Sequence, residues 1–327
     1  MEFRKRVEIT KPDFFIDHHS RIALLGSCFA ENIGNKLQDN KFNVHVNPFG
    51  ILYNPSSIAA ALHRLVTGTP FSENELRENN GLFVSMMHHG SFSRQTKEEA
   101  LKAINNSLQT ASVGLKEADI LILTFGTAYI YMLKESGTIV SNCHKFPASM
   151  FDRKKLSVAS ITDSWRSTIE ELREINPSLK ILFTVSPVRH WKDGAHNNQL
   201  SKAALLLAID ELIHSFEGIY YFPSYEIMMD ELRDYRFYAE DMIHPANAAI
   251  DYIWEVFSDT YFDEKTRQIN KEWGIIHRAV GHRPFNPGTE EHKQFLRQTL
   301  LKVNELRKKY PYFELEKEIE LLTQRLS

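Results

Sequence analysis

The sequence predicts an α/β protein, a three-layer α/β/α sandwich around a mostly parallel sheet, with a helical C-terminal extension. Three observations support this fold class. Short apolar runs of strand length alternate with longer segments of helical periodicity. The apolar runs are continuous, as expected for parallel strands that helices cover on both faces. Polar residues of catalytic type follow several of these runs, at the sheet edge where ligands bind in such folds.

Five apolar runs are expected to form the sheet. They are Ile22–Leu25, Phe42–Val46, Asp119–Phe125, Lys180–Val185 and Ile219–Phe222. The segments that follow or separate them carry apolar residues at helical spacing, namely Glu31–Asp39, Ile58–Val66, Lys97–Leu115, Ile161–Ile175 and Gln199–Phe216. Because crossovers between parallel strands are almost always right-handed, a doubly wound sheet is the simplest topology.

Two regions lie outside this alternation. Residues 68–96 contain three glycines, three asparagines and a proline, and we expect an excursion that serves as a flap over the active site. Residues 261–327 are rich in Glu, Lys, Arg and Leu, and we expect helices that pack on the core or on a second subunit. The predicted organisation is a core domain at 1–260 and a C-terminal extension at 261–327, with oligomerisation through the extension left open.

Composition excludes several classes of protein. Of 327 residues, 43% are hydrophobic and 25% charged, and the formal net charge is −3. Such a mixed, nearly neutral chain gives no reason to expect nucleic acid or an anionic membrane as a partner. The charged N-terminus lacks a following apolar signal segment, and no run of about 18 apolar residues occurs. With only two cysteines, a disulfide framework is not expected, and we predict a cytoplasmic protein.

The most informative segment, Gly26-Ser27-Cys28-Phe29-Ala30, joins the first predicted strand to the first predicted helix. A serine at such a turn holds its hydroxyl above the sheet edge, and the following N–H groups face a developing oxyanion. We therefore interpret Ser27 as the candidate nucleophile. The alternative is a helix cap, which contributes about 1 kcal/mol. Cys28 is a rival thiol nucleophile, although a cysteine is more commonly a small buried residue.

An aspartate and a histidine occur far downstream, three residues apart, at Asp241 and His244. The carboxylate would accept the imidazole Nδ1–H and leave Nε2 free to take the serine proton. The alternative is a polar cluster at the start of a helix. His190, in the segment after the fourth predicted strand, is a rival base. Its neighbour Arg189 is open to two interpretations, as a contact for an anionic substrate group or as half of a surface ion pair.

Gly26-Ser27-Cys28-Phe29-Ala30 resembles the defining motif of the GSCFA family, a branch of the SGNH/GDSL hydrolase superfamily. Asn47–Pro55 and Asn142–Lys145 also resemble that family, and the resemblance spans most of residues 20–260. It implies a flavodoxin-like sheet and hydrolase chemistry. By resemblance, Ser27 matches the family nucleophile, and the Asp-x-x-His pair matches its last block.

The resemblance also implies an oxyanion site. Gly50 matches the glycine whose N–H helps to bind the oxyanion, and Gly126 with Thr127 stands where the related hydrolases have glycine and asparagine. Thr127 is a departure, because its rotatable hydroxyl replaces an amide donor. Loss of one such donor lowers rates by about two to three orders of magnitude in other enzymes.

No metal or cofactor is expected. Neither a Cys-x-x-Cys nor a His-Glu-x-x-His spacing occurs, and no glycine-rich phosphate loop follows the first predicted strand. His144 follows a hairpin-like segment, and it is either a substrate contact or part of a surface turn.

The sequence therefore predicts a serine esterase with the triad Ser27, His244 and Asp241, acting through an acyl-enzyme. The expected substrate is a small acyl ester, with an acetylated carbohydrate as one candidate. Two alternatives stay open: an acyltransferase that uses the same triad, and a non-catalytic binding module on the same fold.

Overall fold

The computed structural model describes residues 4–326. It contains ten strands: β1 (Arg21–Gly26), β2 (Asn43–Val46), β3 (Leu76–Asn79), β4 (Leu82–Ser85), β5 (Ile120–Phe125), β6 (Tyr129–Leu133), β7 (Ile139–Val140), β8 (Phe151–Lys155), β9 (Lys180–Val185) and β10 (Ile219–Phe222). The α-helices are α1 (Cys28–Asp39), α2 (Pro55–Thr67), α3 (Lys97–Glu117), α4 (Val158–Ile175), α5 (Gly194–Ser215), the single turn α6 (Ser224–Glu226), α7 (Asn247–Tyr261), α8 (Glu264–Gly281), α9 (Glu290–Lys309) and α10 (Glu316–Leu326).

The central sheet contains five parallel strands in the order β10-β9-β5-β1-β2. Numbered along the chain, this order is 2-1-3-4-5, the flavodoxin-like arrangement. All five predicted strands lie in it, so the predicted fold class is confirmed. The order places β5 beside β1, and the residues that follow these two strands therefore meet at one sheet edge.

The sheet is buried on both faces, which explains its continuous apolar runs. Along β5, Leu121 and Leu123 pack with α2 to α5, whereas Ile120 and Ile122 pack with α1 and α7 on the opposite face. Each of these four side chains is at most 3% exposed. Burial of such a side chain stabilises the fold by about 1.5–3 kcal/mol. This double burial makes a rigid base for the loops at the sheet edge.

A close backbone approach fixes the turn between β1 and α1. Gly26 pairs with Thr124 of β5 and has a φ of +152°. A Cβ at Gly26 would lie 2.4 Å from the Thr124 carbonyl oxygen. Only glycine fits here, so the position where α1 begins is set by the packing of the two central strands.

Two small sheets extend from the sandwich. The antiparallel hairpin β3–β4 belongs to the 68–96 excursion, and β7, β6 and β8 form a three-stranded sheet between β5 and α4.

The C-terminal helices α8, α9 and α10 pack around a separate apolar core that includes Trp273, Val303 and Leu322. The Trp273 indole N–H donates to the Asp39 carbonyl oxygen (2.6 Å), and the Lys41 ammonium contacts Glu318 (2.7 Å). Both contacts lie where α1 ends and β2 begins, at the sheet edge opposite the carboxyl ends of the strands. The expected helical C-terminal part is confirmed, and in this chain it packs on the core.

Candidate active site

A cavity of about 540 Å³ lies beyond the carboxyl ends of the strands. The segments that follow β1, β2, β5 and β9 contribute Cys28, Tyr53, Thr127 and His190 to its wall. The three-stranded sheet β7-β6-β8 and its connecting loops form the opposite wall, and His244 lies at the rim. The cavity therefore occupies the position where this fold class binds ligands.

Asp241 and His244 form a hydrogen-bonded pair on a tight turn. The distance between Asp241 Oδ2 and His244 Nδ1 is 2.6 Å, and Asp241 Oδ1 accepts the backbone N–H groups of Ile243 and His244, each at 2.9 Å. These bonds from His244, backbone first and ring second, lower the pKa of Asp241 to about 2. The carboxylate is therefore ionised at neutral pH and holds the imidazole with its Nε2 free to accept a proton.

Ser27 and Cys28 differ sharply in environment, although they are neighbours. Ser27 is 1% exposed, and its hydroxyl neither caps α1 nor forms a hydrogen bond with any group among residues 4–326. Cys28 is partly exposed, is a free thiol, and lines the cavity together with His244. The structure therefore brings Cys28 to the cavity wall and leaves Ser27 buried behind it.

The Cys28 thiol lies at the N-terminus of α1. Burial raises its pKa above the usual range, whereas the N–H groups of Phe29 and of Cys28 itself, and the Lys202 ammonium, act in the opposite direction. Since no side chain caps this helix, its first-turn N–H groups face the thiol without competition from a capping oxygen. The thiol thus needs a base, and it lies beside donors suited to an oxyanion.

Lys202 of α5 is a buried residue that sequence reasoning missed. It is 1% exposed, and its ammonium donates to the carbonyl oxygens of Gly126 (2.7 Å) and Ser186 (2.6 Å). It therefore ties the loop after β5 to the loop after β9. Burial lowers its pKa to about 7. Its position on a helix gave no sign of this role, because lysine is a common exposed helix residue.

His190 also lines the cavity, but no carboxylate accepts from it within the described chain. Its ring packs edge-on against Tyr53 at 5.7 Å, and its Nε2 is buried without a partner. Burial, reinforced by Lys202 and His244, lowers its pKa to about 3. His190 is therefore neutral at physiological pH and is a weaker base than a histidine paired with an aspartate.

The N–H groups of the residues expected to bind the oxyanion are already hydrogen-bonded within the protein. The Gly50 N–H donates to the Asn47 carbonyl oxygen (2.7 Å), so it is not available to a substrate. The N–H groups of Gly126 and Thr127 both donate to the Tyr53 carbonyl oxygen (2.8 and 2.9 Å). Thr127 does line the cavity, but its hydroxyl lies 3.1 Å from that of Ser201. These backbone groups hold the loops together, and in this structure their N–H groups are not free to act as the expected oxyanion donors.

His144 and the 68–96 excursion support the cavity from outside. The His144 ring contacts the Ser85 carbonyl oxygen (2.8 Å), and the Ser141 N–H donates to the Met86 carbonyl oxygen (2.8 Å). No residue of 68–96 lines the cavity. The excursion therefore holds the loop after β7 in place and does not form the expected flap. The sheet β7-β6-β8 lines the cavity instead.

Within residues 4–326, no three His, Cys, Asp or Glu side chains come together in a group that could hold a metal ion. None of the described helices has the length and apolarity needed to span a membrane.

The chain belongs to the GSCFA family, whose family model matches residues 21–257. The model for the GSCFA domain protein C-terminal domain matches residues 273–327. The family resemblance drawn from the sequence is thereby confirmed. Among solved structures, the chain is similar to a Clostridium thermocellum family 3 carbohydrate esterase, with a TM-score of 0.35 and 10% identity over 77% of this chain and 98% of that one. Comparison with curated proteins finds no match.

Proposed function

We propose that this protein hydrolyses acyl esters through a covalent acyl-enzyme, with His244 as the base and Asp241 as its partner. The observation that carries this proposal is the 2.6 Å contact between Asp241 and His244 at the rim of a cavity that Cys28 also lines. Acyl transfer requires an oriented imidazole, a nucleophile near N–H donors and a cavity for the ester, and all three are found together.

Cys28 is the nucleophile that the cavity favours. Cys28 lines the cavity, whereas the Ser27 hydroxyl is buried and forms no hydrogen bond with either histidine. The Ser27 nucleophile expected from the sequence is the alternative, and it requires that the buried hydroxyl become exposed to the cavity. The expected activity is therefore that of a thiol-dependent esterase.

In the proposed reaction, His244 Nε2 takes the Cys28 proton while the sulfur attacks the carbonyl carbon and a C–S bond forms. The first-turn N–H groups of α1 stabilise the oxyanion. The C–O bond to the alcohol then breaks, and His244 returns the proton to the leaving oxygen. Water attacks the thioester with His244 as base, which releases the acid and restores the thiol. Asp241 stays ionised throughout.

The test is acyl-enzyme trapping. Wild type, Cys28→Ala, Ser27→Ala and Cys143→Ala would be mixed with p-nitrophenyl acetate, quenched in acid and mapped by peptide mass spectrometry. Cys143 is the matched control, since it is the other cysteine of the chain and lines the same cavity. We expect a 42 Da adduct, the mass of an acetyl group in place of one hydrogen, on the peptide that contains Cys28, lost only in Cys28→Ala.

An adduct that persists in Cys28→Ala and disappears in Ser27→Ala would move the nucleophile to Ser27 and leave ester hydrolysis intact. Absence of both adduct and turnover in the wild type would reject the hydrolase and favour a binding module.

A further inference from the structure

The cavity wall carries an unbalanced positive charge. Arg153, Arg189 and Lys192 all line the cavity, and no Asp or Glu among the described residues does so. Cations gathered in a concave wall raise the local concentration of anions more strongly than cations on an open surface. The distribution of their partners decides which of the three are available to a ligand.

Arg153 is already neutralised. Its guanidinium forms an ion pair with Asp193 and lies over the rings of Tyr129 (4.4 Å) and Tyr131 (5.2 Å). These contacts hold the side chain in place. Arg153 therefore contributes shape and cation–π packing to the wall, and its charge is matched.

Arg189 and Lys192 have no carboxylate partner within residues 4–326. Arg189 lies over the Trp191 ring (5.0 Å), and its Nε is buried without a hydrogen-bond partner. The Lys192 ammonium donates to the Tyr131 hydroxyl (2.6 Å), a neutral acceptor. A buried guanidinium nitrogen without an acceptor is costly, and an anionic ligand would supply that acceptor.

Arg189 lies on the His244 side of the cavity, and the Lys192 ammonium lies at Tyr131 of the facing wall. The backbone N–H of Arg189 approaches the Ile243 carbonyl oxygen at 3.4 Å, so the loop after β9 touches the turn that carries His244. In the reaction proposed above, His244 protonates the leaving alcohol. An anionic group bound by Arg189, with Lys192 reaching it from the facing wall, therefore belongs to the alcohol part of the ester.

We propose that the substrate is an acyl ester whose alcohol part carries a carboxylate or phosphate, bound by Arg189 and Lys192. This inference rests on the proposed function, which assigns the anionic group to the alcohol part and not to the acyl part. Its binding test does not depend on turnover. Arginine matches either anion with two parallel N–H donors.

The kinetic test compares matched esters. Initial rates of deacetylation would be measured for 4-acetoxybenzoate and 4-acetoxyphenyl phosphate against the neutral methyl 4-acetoxybenzoate. We expect kcat/KM to be at least about tenfold higher for an anionic ester, since one charge-assisted hydrogen bond contributes at least that factor. The two anionic esters distinguish a carboxylate from a phosphate.

Variants locate the preference. In Arg189→Gln and Lys192→Gln, we expect the ratio of anionic to neutral kcat/KM to fall by about tenfold each. The control variants Arg297→Gln and Lys134→Gln change exposed residues outside the cavity, and they should keep the wild-type ratio. A wild-type ratio near one, or a ratio that Arg189→Gln and Lys192→Gln leave unchanged, would overturn the proposal.

Binding is measured separately by calorimetry on Cys28→Ala, which cannot form the thioester. We expect 4-acetoxybenzoate to bind more tightly than its methyl ester, with an affinity that falls as salt rises, and to lose this advantage when Arg189→Gln is added. If no ester is turned over, the hydrolase proposal fails while this measurement still decides the anion site. Equal binding of the two esters would overturn the proposed anion site.

Discussion

At the scale of single residues, the strongest feature is the Asp241–His244 pair. Three bonds to one carboxylate come from a four-residue turn, two from backbone N–H groups and one from the ring. Because all three bonds form within one short turn, they need little support from the rest of the protein. The Asp-x-x-His spacing was therefore enough to predict the contact.

Asp241→Asn tests this pair. An amide in place of the carboxylate favours the wrong imidazole tautomer and removes the charge that stabilises the imidazolium. We expect kcat/KM for p-nitrophenyl acetate to fall by about 10²- to 10⁴-fold. The matched control is Glu240→Gln, an exposed neighbour on the same turn. Equal losses in both variants would show that the turn, and not the pair, matters.

The distinction between Ser27 and Cys28 could not be predicted from sequence. The turn itself was clear, because a glycine and two small polar residues follow a buried strand. Which side chain faces outward depends on the residue at which the helix begins, and helix ends are uncertain by one or two residues. Successive residues at such an end point in very different directions. A shift of one position therefore exchanges the buried and the exposed group.

At the scale of elements, the predicted strands and helices agree with the structure because burial on two faces leaves a strong pattern. The flap expected at 68–96 is not found over the cavity, because no residue of this excursion lines it. Composition located an excursion, but contacts between distant segments decide what an excursion covers. The Ser85 and Met86 carbonyl oxygens hold the loop after β7, and no local pattern in 68–96 records that partner.

The Lys202 ammonium links two elements of the fold, because it bonds the loops after β5 and β9. Its pKa is about 7 in the folded protein, against about 10.4 in an unfolded chain. Between these values the unfolded chain binds more protons, so this group makes stability rise with pH, and its effect is constant below the folded pKa.

We therefore expect the free energy of unfolding of the wild type, relative to Lys202→Met, to rise by about 1 kcal/mol per pH unit between pH 7 and pH 9. Urea denaturation of both proteins at several pH values measures it. A constant difference would mean that the ammonium stays charged between the Gly126 and Ser186 carbonyl oxygens.

At the scale of the whole molecule, the C-terminal helices have their own core and touch the sandwich far from the cavity. We expect Trp273→Ala to lower the free energy of unfolding by about 3–5 kcal/mol, the usual cost of removing a buried tryptophan. At 20 °C the folded fraction should keep its kcat/KM for p-nitrophenyl acetate. Thermal unfolding and initial rates measure the two effects.

Ile275→Ala is the control, since this residue of the same helix is 54% exposed. It should change neither quantity. A large drop in kcat/KM for folded Trp273→Ala would show that the extension acts on the active site at a distance.

The division of the cavity wall has a consequence for how this protein diversifies. The proposed nucleophile and base lie at the sheet edge and on the turn before α7, whereas the sheet β7-β6-β8 belongs to a single continuous insert between β5 and α4. Chain length and side chains in that insert are free to drift without moving the reacting groups. We therefore expect substitutions in this insert to change which ligands the cavity accepts, while the proposed reacting groups keep their positions.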